Sequence, residues 1–278
     1  MDLSAIEHVI YGFLSGLTEI LPVSARAHST LYLKLLGSGD VRGFPNLLIH
    51  IGILAALYTY SRIQLTKMSR ARKLARIPKK RRKRPLDVDS LMNSSFLITM
   101  ALPMILMLFF LDRITSFDFS LPVISAFLFV NGLILYIPQF LPGSNRDART
   151  LSRFDGLLMG LGSTLSAIPG FSGIGTALSI GSIRGVDRSY CLNMTLTATM
   201  VYFIGLIVYD VLAIIVRGFG PITMQLIGIY ILAAAAAFIS TMLSVRIMRA
   251  FAAENGYHFF AYYCWGAALF TFILNLMA

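Results

Sequence analysis

The sequence predicts an all-α integral membrane protein: a polytopic bundle of about six spanning helices with two further broken, re-entrant helix pairs, arranged as an inverted-topology repeat. Three observations predict it. The 278 residues are 56% hydrophobic and only 13% charged, with a mean hydropathy of +0.74, whereas soluble domains carry about a quarter charged residues. Apolar runs long enough to cross a hydrocarbon core of roughly 30 Å recur along the chain. Two of these runs are too long for one crossing and carry a proline near the middle.

In chain order, the run 3–36 is interrupted at Pro22 and reads as a pair of half-helices, and the runs 43–61, 91–111 and 120–141 read as simple spans. The run 154–183 is interrupted at Pro169-Gly170 and reads as the second broken pair, after which 190–216, 222–248 and 258–278 complete the six spans. Irregular backbone at membrane depth is tolerated only where protein buries it or it lines a polar cavity. The two breaks are therefore candidate sites. They also resemble each other: Gly12-Phe13-Leu14-Ser15-Gly16-Leu17 matches Gly156-Leu157-Leu158-Met159-Gly160-Leu161 at four of six positions, at a constant offset of 144. On this basis residues 1–278 form a single polytopic domain, with a first repeat at about 3–141 and a second at about 154–278.

The formal charge of +11 would suggest a nucleic-acid partner until it is located. Twelve of the 24 basic residues lie between Arg62 and Arg84 with no acid among them, and the other 12 nearly balance the 13 acidic residues. A basic run between two apolar segments is explained by the positive-inside rule, with attraction to anionic headgroups as a secondary effect. We read 62–90 as a basic cytoplasmic loop and exclude nucleic acid as a partner. Counting outward from that loop places Arg146, Arg149, Arg153, Arg184 and Arg188 on the same side, and Arg246 and Arg249 as well. The first broken pair then opens outward and the second inward, which puts a binding site near the midplane where the breaks meet. Cys191 and Cys264 have no CxxC partner, so neither a disulfide framework nor a zinc site is signalled.

The first break, Gly16 to Ser29, holds Glu19, Arg26 and His28 within ten residues of an apolar run. Ionisable groups are costly at that depth, so their default reading is functional. Pro22 suits the first turn of a new helix, whose free N–H groups would point into the cavity. Ser24 and His28, four apart, would share a helix face. The second break, Ile168 to Thr176, uses glycine in place of charge: Gly170, Gly173 and Gly175 let backbone amides approach an anion, and Ser172 can donate to it. Together the breaks suit a phosphate or diphosphate headgroup. His8, His50 and His258 stand in no motif and read as interfacial or packing residues.

The two motifs together resemble the undecaprenyl-diphosphate phosphatase family of the bacitracin-resistance type, which carries E-G-L-T-E-F-L-P-V-S-S-T-G-H and P-G-x-S-R-S-G segments. Gly16-Leu17-Thr18-Glu19, Leu21-Pro22-Val23-Ser24 and His28 match the first segment. Pro169-Gly170-Phe171-Ser172 and Gly175 match the second, and Gly185-Val186 with Arg188 continues it. The resemblance implies a multi-pass protein of the bacterial cytoplasmic membrane, which removes the terminal phosphate of a long isoprenoid diphosphate and so recycles the carrier lipid of cell-wall synthesis. It implies site roles for Glu19, Ser24, His28 and Ser172, the first three as catalytic residues, and a divalent cation, Mg²⁺ or Ca²⁺, for which Glu19 is the candidate ligand; Thr18, Ser15 and the three glycines are read beside them as phosphate-binding residues. A homodimer is left open.

The chain departs from the motifs at four places. The first glutamate is Ser15, the second serine of V-S-S is Ala25, the threonine and glycine before the histidine are Arg26 and Ala27, and the arginine of P-G-x-S-R-S-G is Gly173. Phosphoryl transfer relies on positioning and positive charge, so the missing arginine removes an electrostatic element. Arg26 or Arg184 could return a cation to the pocket. Two functions follow: a phosphatase, or a transporter that moves a polyprenyl phosphate across the bilayer with the same pocket.

Overall fold

The computed structural model describes residues 5–37, 41, 43–141, 145–219, 223–253 and 257–277. The starts of the runs predicted at 3 and 222, and the end of the run at 278, fall outside them. Among the described residues the regular structure is helical, apart from one isolated bridge between Arg146 and Val186. Eleven α-helices follow in order: α1 (Ala5–Ile20), α2 (Ala25–Leu35), α3 (Phe44–Ala75), α4 (Val88–Met107), α5 (Leu111–Thr115), α6 (Leu121–Tyr136), α7 (Arg153–Thr164), α8 (Gly173–Ile183), α9 (Arg188–Arg217), α10 (Met224–Ala253) and α11 (Phe259–Met277).

Among the described residues six segments are long and apolar enough to cross a membrane: α3, α4 with α5, α6 with its following turn, α9, α10 and α11. Their large apolar side chains stay exposed around the bundle, Phe109, Ile215 and Leu276 among them, as a lipid-facing surface requires. The basic stretch is only partly a loop. α3 runs on to Ala75, so Arg62 to Lys73 extend the spanning helix, and irregular chain begins at Arg76.

The predicted breaks fall where the prolines stand. α1 ends at Ile20, three turn residues follow, and Ser24 caps α2 by accepting from Ala27 N–H. α7 ends at Thr164, and Ser172 caps α8 by accepting from Gly175 N–H at 3.1 Å. Each pair folds back on itself. Tyr32 near the end of α2 donates to the carbonyl of Glu7 at the start of α1, and Arg184 just after α8 bonds Asp155 at the start of α7.

Glycine spacing decides which helices support the hairpins. Gly12 and Gly16 of α1 lie against the backbone of Ala233 and Ala237 of α10, and Gly156 and Gly160 of α7 lie against Thr99 and Met100 of α4; a Cβ at Gly12, Gly16 or Gly160 would collide with a backbone carbonyl, and one at Gly156 with the Thr99 hydroxyl. Small residues four apart let helices approach to backbone contact, where packing is the main attraction available in lipid. Both sets run in increasing register, so α1 is parallel to α10 and α7 to α4. α4 runs parallel to α9, with Asn93 beside Tyr190 and Leu108 beside Gly205; α3 runs antiparallel to α9, with His50 beside Asp210 and Gln64 beside Met194, and parallel to α10, with Gly52 beside Ala234 and Thr59 beside Met242, so α9 is antiparallel to α10. The two hairpins therefore start at opposite ends of the bundle, and their breaks meet inside it.

Candidate functional site

The breaks are joined by direct hydrogen bonds. Gly170 N–H donates to Ser24 Oγ at 2.9 Å. Asn131, fully buried on α6, spans both breaks: its Nδ2 donates to the Pro22 carbonyl at 3.2 Å and its Oδ1 accepts from Ser172 N–H at 2.9 Å. Gly175 lies against Pro22, where a Cβ would sit 2.8 Å from the proline's own. Proline and glycine thus make the contact that brings the two helix starts together.

A cavity of about 980 Å³ lies beside this junction, at the end of the bundle away from the basic stretch. Ser15, Thr18 and Glu19 of α1 and Arg26 of α2 line one wall, and Ser172, Gly173 and Ile174 at the start of α8 line another. The first two residues of α2, Ala25 and Arg26, and of α8, Gly173 and Ile174, all line it, and within the described residues their amides receive no hydrogen-bond acceptor. Two helix N-termini, each with free N–H groups and a positive dipole end, therefore face one space. Arg26 adds a full charge and lies beside Tyr202 of α9. Helix N-termini arranged in this way suit an anion.

The sequence-predicted residues divide into those that line the cavity and those that build its junction. Glu19, Arg26, Ser15, Thr18, Ser172 and Gly173 line it. The hydroxyls of Ser15 and Thr18 donate to the carbonyls of Tyr11 and Leu14 at 2.7 and 2.8 Å, leaving their oxygen lone pairs for a partner. Ser24, Gly170 and Gly175 are buried in the junction and are absent from the lining. His28 is also off the lining: its Nδ1 lies 2.8 Å from the Ser24 carbonyl and its Nε2 2.7 Å from Tyr263 Oη on α11, with the two rings stacked. Both imidazole nitrogens are already engaged there.

The cation expected from Arg184 is not in the cavity. α8 separates Gly173 from Ile183 by about 15 Å at 1.5 Å per residue, and Arg184 bonds Asp155 Oδ1 at 2.6 Å beside Arg146, which holds Oδ2 at 3.0 Å. The fully buried Asp155 carboxylate retains both arginines at the start of α7. The arginine missing at Gly173 has no vacant place either. A Cβ on Gly173 would collide with the Ser163 carbonyl and sit 2.8 Å from Ser166 Cβ, so α8 has closed against α7 at that position. Arg26 alone of the two candidates brings its charge to the cavity.

Two lining residues carried no sequence motif. His50 of α3 and Asp210 of α9 meet in the same cavity, Nδ1 to Oδ2 at 2.6 Å. An aspartate in the middle of the 190–216 run was a legible signal, since an ionisable residue in a spanning helix is functional by default. Asn131 gave no such signal. For a metal the donors do not fit: among the described residues no three His, Cys, Asp or Glu side chains gather to hold an ion, and Glu19 stands without the second carboxylate that Ser15 replaces.

The chain is similar to curated proteins over nearly its full length. It is 28% identical to the undecaprenyl-diphosphatase of Methanobrevibacter smithii over 273 residues, covering 96% of each chain. It is 25% identical to that of Alkaliphilus metalliredigens over 278 residues, covering 99% of this chain and 100% of the relative. Identity to the undecaprenyl-diphosphatase of a Nocardioides species is 33% over 184 residues, 66% of each chain. A family model, the bacitracin resistance protein BacA, matches residues 8–270. With the motifs on its two helix breaks and a match across nearly all of its length, the chain belongs to the BacA family.

Proposed function

We propose that this protein is a membrane phosphatase that removes the terminal phosphate of undecaprenyl or a similar polyprenyl diphosphate. The observation that carries this is the meeting of two helix N-termini, four free amides and Arg26 on one cavity that also holds Glu19. In phosphoryl transfer the protein's task is to position the group and neutralise its oxygens, and preorganised amides do so without reorganisation. The amides of Ala25 and Arg26 face one phosphoryl group and those of Gly173 and Ile174 the other. Arg26 stands where charge builds on the transferring oxygens, and Glu19 orients the attacking water. Apolar lining residues such as Met104, Leu111 and Ile124 accept the first isoprene units. That the three relatives are all undecaprenyl-diphosphatases supports hydrolysis over transport.

Orientation and repeat belong to the same proposal. The cavity opens away from the basic stretch, so the positive-inside rule puts its mouth on the outer side of a cytoplasmic membrane. The opposed hairpins, α1–α2 on α10 and α7–α8 on α4, support an inverted repeat whose re-entrant tips form the site at mid-depth. We assign the divalent cation, Mg²⁺ or Ca²⁺, to the diphosphate oxygens rather than to a protein cage.

The test is phosphate release from undecaprenyl diphosphate by the purified protein in detergent, with Mg²⁺, with Ca²⁺ and with EDTA, beside Glu19→Gln. Release in wild type, cut at least about 100-fold in the variant, is the expected result. Absence of release under all three conditions, with the protein folded, would overturn the proposal.

A further inference from the structure

The histidine that faces the cavity is His50. Its Nδ1 is committed to Asp210 Oδ2 at 2.6 Å, with the side chains 17% and 9% exposed. The ring meets Phe203 edge-on at 5.5 Å, which fixes its plane. Nε2 is therefore the nitrogen left for the cavity that both residues line. His28, by contrast, has both nitrogens engaged and stands off the lining. The titratable groups that share the cavity with the imidazole are Tyr11 and Glu19 of α1, Arg26 and Lys34 of α2, Asp112 of α5 with Asp118 after it, and Tyr202, Tyr209, Asp210 and Arg217 of α9. α4 and α10, also packed on α3, bring no titratable side chain to the lining.

The arrangement is that of an oriented base. A carboxylate on one imidazole nitrogen fixes the tautomer, presents the other nitrogen as a proton acceptor and stabilises the imidazolium once it forms. A buried His–Asp pair has no other evident use here: 160 residues separate the partners, and a pair of apolar residues would join α3 to α9 without the cost of desolvating a carboxylate.

We infer that His50, oriented by Asp210, is the acid–base group of this cavity, its Nε2 taking the proton of the water that attacks the terminal phosphorus. This rests on the hydrolytic function proposed above. In the step, the water oxygen bonds to the terminal phosphorus as the bond from that phosphorus to the bridging oxygen breaks. The electron pair of the broken bond leaves on the polyprenyl monophosphate. The water proton goes to Nε2 and then to the released phosphate or bulk water. Asp210 holds Nδ1, takes no part in the proton transfer and is a positioning residue.

The test measures phosphate release from undecaprenyl diphosphate against pH for wild type, His50→Gln, Asp210→Asn and Asp210→Glu, with folding of each checked by thermal melting in detergent. His50→Gln is expected to lower kcat at least about 100-fold with KM little changed, and to lose the acidic limb of the pH–rate profile that a histidine base produces. Asp210→Asn should lower kcat and distort the same limb, and Asp210→Glu should recover part of both. If His50→Gln unfolds, His50→Ala with added imidazole reads the same chemistry as a rate restored by the free base, and no restoration in folded protein counts against the role. An active wild type whose His50 variants keep the rate and profile would overturn this inference alone. A wild type that releases no phosphate would overturn the hydrolytic function and this inference with it.

Discussion

The hydroxyl of Ser24 accepts a hydrogen bond from the Gly170 amide at 2.9 Å, joining two helix breaks that lie 146 residues apart. Ser24 is also the one non-glycine residue with positive φ among the described residues, at φ 70°, ψ 94°. Such a conformation costs on the order of 1–3 kcal/mol and persists only where its surroundings over-determine it. Here the restraints are the Gly170 bond, the cap to Ala27 and the His28 ring on the Ser24 carbonyl.

Ser24→Ala keeps the strain and removes the acceptor, leaving the Gly170 N–H buried without a partner. Interhelical hydrogen bonds in membranes average about 0.6 kcal/mol and reach about 1.7, while an orphaned buried donor costs about 1–3. A loss of about 1–2 kcal/mol is expected, read as a lower Tm in detergent. Ser24→Gly relieves the strain while losing the same bond, so it should melt above Ser24→Ala. The reverse order would show that the hydrogen bond does not hold the backbone in place.

Asn131 makes the second tie, and it serves both breaks at once. Asn131→Leu strands the buried Ser172 amide and leaves the Pro22 carbonyl only the weak Cys264 thiol donor at 3.6 Å, so its cost should exceed that of Ser24→Ala, at about 2–4 kcal/mol. Asn131→Asp keeps an acceptor for Ser172 but loses the donor to Pro22, and should fall between. Thermal melting of the three variants side by side checks the ranking. Because both helix starts shift when the tie is cut, KM for the lipid diphosphate should rise with the loss of stability.

The breaks were legible because proline and glycine interrupt apolar runs where helices must stop, and Ser24 and Ser172 stand where caps belong. The likeness between residues 12–17 and 156–161 was visible, but not the task of its glycines: Gly12, Gly16, Gly156 and Gly160 stand at helix crossings. Asn131 was hidden because its bonds reach Pro22 and Ser172, 109 and 41 residues away. His50 was passed over for the same reason, since only folding brings α9 to it. Arg26 and Arg184 looked equivalent as cations near a break, but helix length separates them. One begins its helix at the cavity and the other follows the far end of an 11-residue helix.

That separation predicts opposite behaviour for the two arginines. Arg26→Ala should lower kcat/KM by about 100- to 1,000-fold, the loss typical of one preorganised charge on a reacting oxygen, with Tm little changed. Arg184→Ala leaves the buried Asp155 with Arg146 and Ser152 alone, so it should lower Tm while reducing kcat/KM far less than Arg26→Ala. Restoring the family's arginine by Gly173→Arg is expected to destabilise and not to raise activity, because the Ser163 carbonyl occupies the space. Phosphate release and melting of the three proteins together decide it.

The glycine crossings give the last prediction, because they test whether the two hairpins are held in the same way. Gly16 meets Ala237, Ser240 and Thr241 of α10, and Gly160 meets Met100 and Pro103 of α4. In both, the nearest obstacle is a backbone carbonyl, which cannot turn aside as a flexible side chain would. Gly16→Ala and Gly160→Ala should therefore each force their helices apart, at about 1–3 kcal/mol of overpacking, and each should lower Tm. Gly228 of α10 has open space where a Cβ would stand, so Gly228→Ala should leave Tm unchanged or raise it through better helix propensity. If Gly16→Ala melts early and Gly160→Ala does not, α7 is held on α4 by contacts other than the glycine crossing, and the likeness between residues 12–17 and 156–161 has no common structural basis.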